Sequence, residues 1–219
     1  MLHCWFFTGV ILALHWWAFL GSIQLSTVAV GTITFSAFPL FVTFIEPLIF
    51  HNKLEWRNVA AAIMILLGVL ITIPELSLEN HMFRGFLFGV ISALSYAVLT
   101  IINKSMAEKI SSTVTAFYEQ ATAAVVLLPF IMQIHAQPSA SDLAMLLFLG
   151  VITTALAHTL FITGLETLPA QLVGICSSME TVYGIIFALL LLGEIPTIRE
   201  IIGAVIIVGT VIAAQMHAE

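Results

Sequence analysis

Charge is what this chain has least of. Only 8% of its 219 residues are Asp, Glu, Lys or Arg, while 61% are hydrophobic and the mean hydropathy is +1.14. An average soluble domain carries about 25% charged residues, so a water-soluble globule is excluded: the chain has too little polar surface to cover one. The six Lys and Arg are scattered, and no basic patch meets nucleic acid. Cysteine is nearly absent. Cys4 and Cys176 both lie in apolar stretches, which speaks against a disulfide framework. Neither H-E-x-x-H nor G-x-S-x-G occurs, so no catalytic constellation supports an intramembrane enzyme.

What is present in abundance is apolar helix. A hydrocarbon core about 30 Å thick needs roughly 20 apolar residues of helix to cross it. That length finds about eight segments, near 2–23, 28–50, 58–73, 85–103, 114–135, 143–165, 170–192 and 201–215. The predicted fold class is therefore all-α, a polytopic membrane bundle. The segments are too long and too uniformly apolar for a β-barrel. Polar residues collect in the connectors: His51-Asn52-Lys53, Pro74-Glu75 onward to Arg84, the stretch from Lys104, and Gln137-Pro138-Ser139. The turns at 166–169 and 193–196 are tight, which forces antiparallel neighbours. Met1 enters an apolar helix without the charged start or cleavage site of a signal peptide, and this reads as a chain that starts partway through a longer sequence. Lys53, Arg57, Lys104 and Lys109 fall on one membrane face, and Arg84 and Arg199 on the other. The first face is then cytoplasmic, with the C-terminus on that side.

Two stretches echo each other. Shifted by 142 positions, Ala13-Leu14 falls on Ala155-Leu156, Phe19 on Phe161, Ser36 on Ser178, Arg57 on Arg199 and Ala62 on Ala204. Both copies read span, tight turn, span, turn with Arg, span. The shift crosses an odd number of spans, so the copies point oppositely through the membrane. Inverted repeats of this kind build alternating gates around a midplane site in secondary transporters.

The residues also resemble a known family. Ala13-Leu14-His15-Trp16-Trp17-Ala18-Phe19-Leu20 with Leu25-Ser26-Thr27-Val28-Ala29 resembles the third helix and following turn of EamA domains, and Phe38-Pro39-Leu40-Phe41 the fourth helix. Glu180-Thr181-Val182-Tyr183 through Leu191-Leu192-Gly193-Glu194 is similar to the family's EP…LLLGE pattern, and the run from Gly203 to Gly209 to its glycine-containing last helix. His51-Asn52 stands where the family has Gly-Glu, and Thr181 replaces its proline. The resemblance implies the drug/metabolite transporter superfamily, with two five-helix inverted repeats. On that template residues 1–74 are three helices of a first repeat and 84–216 a complete second one. The template's first two helices, one of which lines the family's cavity, are not among them.

An ionisable side chain inside a span costs about 2–3 kcal/mol even on gentle insertion scales, so each one calls for an account. His15, Glu46, Glu119, His158 and Glu180 are the five, and no Lys or Arg lies near the middle of any span. Desolvation favours a carboxyl's neutral form, and a group in that position exchanges protons. Glu180, deepest and within the family pattern, and Glu119 are the proton-coupling candidates. The structural alternative is interhelical hydrogen bonding, and it suits Glu46 best because Pro47 follows. His15 and His158 lie one position off equivalence and could line one cavity; two histidines without a third ligand are a poor zinc site. Trp17 lies well inside its span, which suits a cavity wall better than an interfacial belt. Tyr96 and Asn103, with Ser92, form one polar stripe. The substrate-cavity candidates are thus His15, Trp17, Tyr96, Asn103, His158, Ser178 and Glu180. Glu194 reads as structural, and Thr197 with Glu200 as a capping box.

Together these features predict a carrier of small metabolites or amphipathic compounds, of the exporter type, working by alternating access in a cell membrane, the bacterial inner membrane in particular. Its partners are lipid and a small-molecule substrate, with no cofactor, metal or nucleic acid. Without intramembrane Lys or Arg, phosphorylated substrates fit poorly, and amino acids or uncharged metabolites fit better. The competing expectation is a reduced, non-transporting or scaffold protein. A reduced protein that still transports would dimerise to rebuild the cavity.

Overall fold

The computed structural model describes residues 2–51, 53–72, 77–107, 109–132 and 137–215. Asn52, the connector residues Pro74 and Glu75, and the predicted end of the fifth span at 133–135 lie outside them, as does the side chain of Cys4. Among the described residues all regular structure is helical. In chain order the α-helices are α1 (Leu2–Leu25), α2 (Val28–Phe35), α3 (Phe38–Phe50), α4 (Trp56–Thr72), α5 (His81–Ala107), α6 (Ser112–Ile131), α7 (Ala140–Phe148), α8 (Ala157–Thr167), α9 (Ala170–Ser177), α10 (Glu180–Phe187) and α11 (Ile198–Gln215). A π-helical stretch, Leu149–Leu156, joins α7 to α8, and a second, Ala188–Leu192, continues α10.

All eight expected segments are helical. Six of them, Trp5–Leu25, Val28–Phe50, His81–Ala107, Ser112–Ile131, Ala140–Thr167 and Ala170–Leu192, are long and apolar enough to cross a membrane. The remaining two, α4 with 17 residues and α11 with 18, reach about 25–27 Å at 1.5 Å per residue. The chain is a polytopic helical bundle. Its outward side chains suit lipid: Leu190, Leu191 and Ile195 are 71%, 77% and 84% exposed, which water would penalise and hydrocarbon does not.

Helix starts follow the polar residues of the connectors. Thr27 Oγ1 accepts from Val30 N at 3.1 Å to open α2, and Ser139 and Asp142 form a reciprocal capping box on α7. The predicted box before α11 is present: Thr197 N donates to Glu200 Oε2 at 2.6 Å, and Glu200 N to Thr197 Oγ1 at 3.3 Å. These contacts satisfy donors that would otherwise be orphaned at a helix N-terminus.

Two spans are broken near their middles. The second breaks at Ser36-Ala37 between α2 and α3, with Pro39 just inside α3, where a missing N–H costs least. The Ala170–Leu192 span breaks at Ser178-Met179. Ser36 and Ser178 are 142 residues apart. So are His51 and Gly193, which share a left-handed backbone at φ 56° and 69°. That conformation favours glycine, and His51 adopts it where the family motif has glycine.

Contacts divide the chain into two compact units. Unit 1 takes residues 1–13 and 102–168, and unit 2 residues 14–101 and 169–219, so α1 and α5 each contribute to both. Within unit 2, α4 and α11 pack along their length through a backbone contact. A Cβ on Gly203 would sit 2.6 Å from the Gly68 carbonyl oxygen, so only glycine permits this approach. Beside them Ala29, Ile33, Ala37, Ile65, Val69, Ile175 and Ile207 form a buried cluster. The two broken spans lie antiparallel. Thr32 meets Gly184, Ser36 hydrogen-bonds Thr181, and Phe38 meets Gly174. Within unit 1, α6 packs on α8, Trp5 stacks on Tyr118 with ring centroids 4.4 Å apart, and Gly9 lies against Thr122.

Candidate functional site

In unit 2, two of the residues singled out in the sequence, Tyr96 and Ser92, meet His15. Its Nδ1 lies 2.9 Å from Ser92 Oγ and 3.2 Å from the Ser92 carbonyl oxygen, so the ring is anchored to α5. Around it stand Tyr96, Phe35 and Phe19, with ring centroids at 4.7, 5.1 and 6.0 Å. Phe38 adds a stacked contact to Phe35 at 5.1 Å and an edge contact to Tyr96 at 5.2 Å. The cluster therefore sits at the first helix break, which separates Phe35 from Phe38.

The breaks themselves form a polar node. Ser36 Oγ and Thr181 Oγ1 are hydrogen-bonded, and both hydroxyls reach the Thr32 carbonyl oxygen, at 3.0 and 3.1 Å. Ser178 is buried there and donates to the Gly174 carbonyl at 3.3 Å. Glu180 opens α10, is exposed, and makes no hydrogen bond among the described residues. A carboxylate in a first helical turn is favoured by the helix dipole. Trp17 points outward, half exposed, with Phe88 at 5.1 Å as its ring partner.

The acids at the ends of unit 2 serve backbone. Glu46, 3% exposed, accepts from Ala170 N at 3.3 Å and Gln171 N at 3.1 Å, closing the start of α9. Asn58 reinforces this end through Gln171. Glu194 accepts from Val28 N at 3.1 Å, and Glu200 is 3.5 Å from Thr27 Oγ1, at the start of α2. These are the structural roles expected for Glu46 and Glu194.

Unit 1 holds the second group. Glu119 is fully buried; its Oε2 lies 2.9 Å from His158 Nε2 and accepts from Asn103 Nδ2 at 3.2 Å. The widened π-helical stretch ends just ahead of His158, a feature often found at functional positions. Near the bundle end, Lys104 Nζ donates to the carbonyls of Leu165 and Leu168 at 2.7 and 2.9 Å, and Glu166 accepts from Ser112 N at 3.2 Å.

The structure thus distributes the predicted residues. Tyr96 joins His15, while Asn103, seven residues on along the same helix, joins Glu119. His15 and His158 each have a partner inside their own unit. Phe19, Phe35 and Thr181 escaped sequence reading as site residues, since single Phe and Thr residues are unremarkable in an apolar chain. The Phe38-Pro39 motif was the one signal for this neighbourhood. Among the described residues no group of three His, Cys, Asp or Glu is placed to hold a metal ion.

Residues 83–214 match the EamA-like transporter family. The chain is 26% identical over 188 residues to an S-adenosylmethionine uptake transporter of Rickettsia conorii, covering 86% of this chain and 63% of that protein. It is 24% identical over 203 residues to an uncharacterized transporter of Bacillus subtilis, covering 91% and 65%. The chain therefore spans just under two thirds of the length of these relatives. A solved crystal structure shares the fold, with a TM-score of 0.74 and 20% identity over 96% of this chain and 75% of the other.

Proposed function

Because the chain belongs to the EamA-like transporter family, we propose that it carries a small metabolite across a membrane by alternating access, and that it is not an enzyme. The observation that carries this reading is the His15 cluster in unit 2, an anchored imidazole set among Phe19, Phe35, Phe38 and Tyr96 beside a broken membrane helix. Broken helices free backbone groups for a substrate at membrane depth, where continuous helices have none to offer. His15, Tyr96, Ser178 and Glu180 are the residues assigned to substrate. The aromatic faces suit an apolar or cationic moiety, and Ser178 and Glu180 suit an amine. An amino acid, or a sulfonium compound such as the S-adenosylmethionine of the Rickettsia relatives' name, fits these groups better than a phosphate ester does.

The chain's organisation in this reading is three helices of one repeat (1–74) and five of the next (84–216). The matched breaks at Ser36 and Ser178 and the matched turns at His51 and Gly193 support it. Transport is coupled to protons through Glu119 or Glu180, in a bacterial inner membrane with the C-terminus cytoplasmic.

The test is flux of labelled amino acids and S-adenosylmethionine in proteoliposomes. At least one compound should be carried, and His15→Ala should reduce its transport tenfold or more. A wild type that moves none of the panel sinks the reading. Substrate-driven pH changes that survive Glu180→Gln remove Glu180 from the coupling.

A further inference from the structure

We infer that Glu46 is the first copy's counterpart of Glu194 at a different place in the chain, so that the two broken spans of unit 2 fasten each other at both ends through reciprocal carboxyls. The helix bounds supply the frame. Under the 142-residue shift, α2 (Val28–Phe35) falls on α9 (Ala170–Ser177). The start of α3 at Phe38 falls on that of α10 at Glu180, and the start of α4 at Trp56 on that of α11 at Ile198. No gap interrupts these pairs. The same shift carries Val28 to Ala170, and His51-Asn52 to Gly193-Glu194.

Each span opens with backbone N–H groups that its own helix cannot satisfy. At α2, Glu194 accepts from Val28 N at 3.1 Å, and the local cap Thr27 accepts from Val30 N at 3.1 Å. The repeat relation therefore calls for a carboxyl from position 52 at Ala170 N, and this chain has asparagine at 52. It also has Pro169 where the first copy has Thr27, and Pro169 provides no side-chain cap. The start of α9 thus lacks both the acid and the local cap that serve α2. Glu46, on α3, makes up for both by accepting from Ala170 N at 3.3 Å and Gln171 N at 3.1 Å. Its equivalent in the second copy is Ala188, which has no group to offer.

The arrangement is reciprocal because the spans run antiparallel. An acid near the end of the first span reaches the start of the second, and an acid just past the second reaches the start of the first. Asn58, hydrogen-bonded to Gln171, steadies the Glu46 end. Glu46 is thereby a positioning residue. It fixes the start of the span whose break carries Ser178 and Glu180. Its bearing on transport rests on the substrate assignment above; the relocation of the acid does not.

Hydrogen–deuterium exchange of the chain in lipid nanodiscs, read by mass spectrometry on peptides spanning 169–173 and 27–31, tests this without a substrate. Glu46→Ala installs the residue that the second copy has, and should speed exchange at 170–171 by at least about tenfold while leaving 28 unchanged. Glu194→Ala should do the reverse. Adding Asn52→Glu to Glu46→Ala gives the first copy the second copy's acid, and should recover most of the protection at 170. A merely bulky or rigid core position would not be rescued from there. Exchange at 170–171 that ignores Glu46→Ala overturns the inference, as does a double variant no better protected than the single one. If Glu46→Ala does not fold, the double variant decides: folded and protected at 170 supports the relocation, and unfolded overturns it. A chain that carries no substrate yet shows the rescue loses the transport reading and keeps this one; a carrier without the rescue does the opposite.

Discussion

The acids of unit 2 and the acid of unit 1 solve the same problem differently. Glu46 spreads both carboxylate oxygens over backbone N–H groups at the start of α9, and Glu194 does likewise with one oxygen at α2. Helix N-termini supply fixed donors and a favourable dipole, so a carboxylate there becomes part of the scaffold. Glu119 instead meets only side chains, His158 and Asn103, from two different helices. Its partners can swing away with their helices. An acid that caps backbone holds a fold together, whereas an acid held by side chains is free to act as a switch.

That contrast can be broken by substitution. The largest effect is expected from Glu46→Leu, which strands two buried backbone donors. At about 1–3 kcal/mol each, the loss is about 2–6 kcal/mol and should appear as a marked fall in unfolding midpoint in detergent. Glu194→Ala removes one contact at a more open turn, and a capping loss of about 1 kcal/mol is expected from the same measurement. Glu119→Gln should change stability least, by under about 1 kcal/mol, because the glutamine keeps an oxygen that accepts from Asn103. A Glu119→Gln protein as unstable as Glu46→Leu would erase the distinction between the two kinds of acid.

Much of this was legible in the sequence because the bilayer imposes a simple ruler. Segment lengths, polar connectors and caps are local properties, and the eight helices and the Thr197–Glu200 box followed from them. The breaks at Ser36 and Ser178 were not predicted as breaks. Ser36 and the run Ser177-Ser178-Met179-Glu180 lower the hydropathy only locally, without ending the apolar span, and hydrogen-bond geometry ends a helix there. The split of the Tyr96–Asn103 stripe was equally hidden. Periodicity says which residues share a helical face, and says nothing of what stands opposite each turn.

By itself, then, the sequence determined that this is a multi-pass helical protein with acids and histidines at membrane depth, because scarcity of charge and length of apolar run leave no other soluble or barrel solution. The tertiary structure alone decided what those groups do. It set Glu46 on a helix start, His15 among aromatic rings, and Glu119 between His158 and Asn103. The reason is physical: a carboxyl in hydrocarbon takes its character from whichever donors come within about 3 Å, and those donors lie 16 to 125 residues away along the chain.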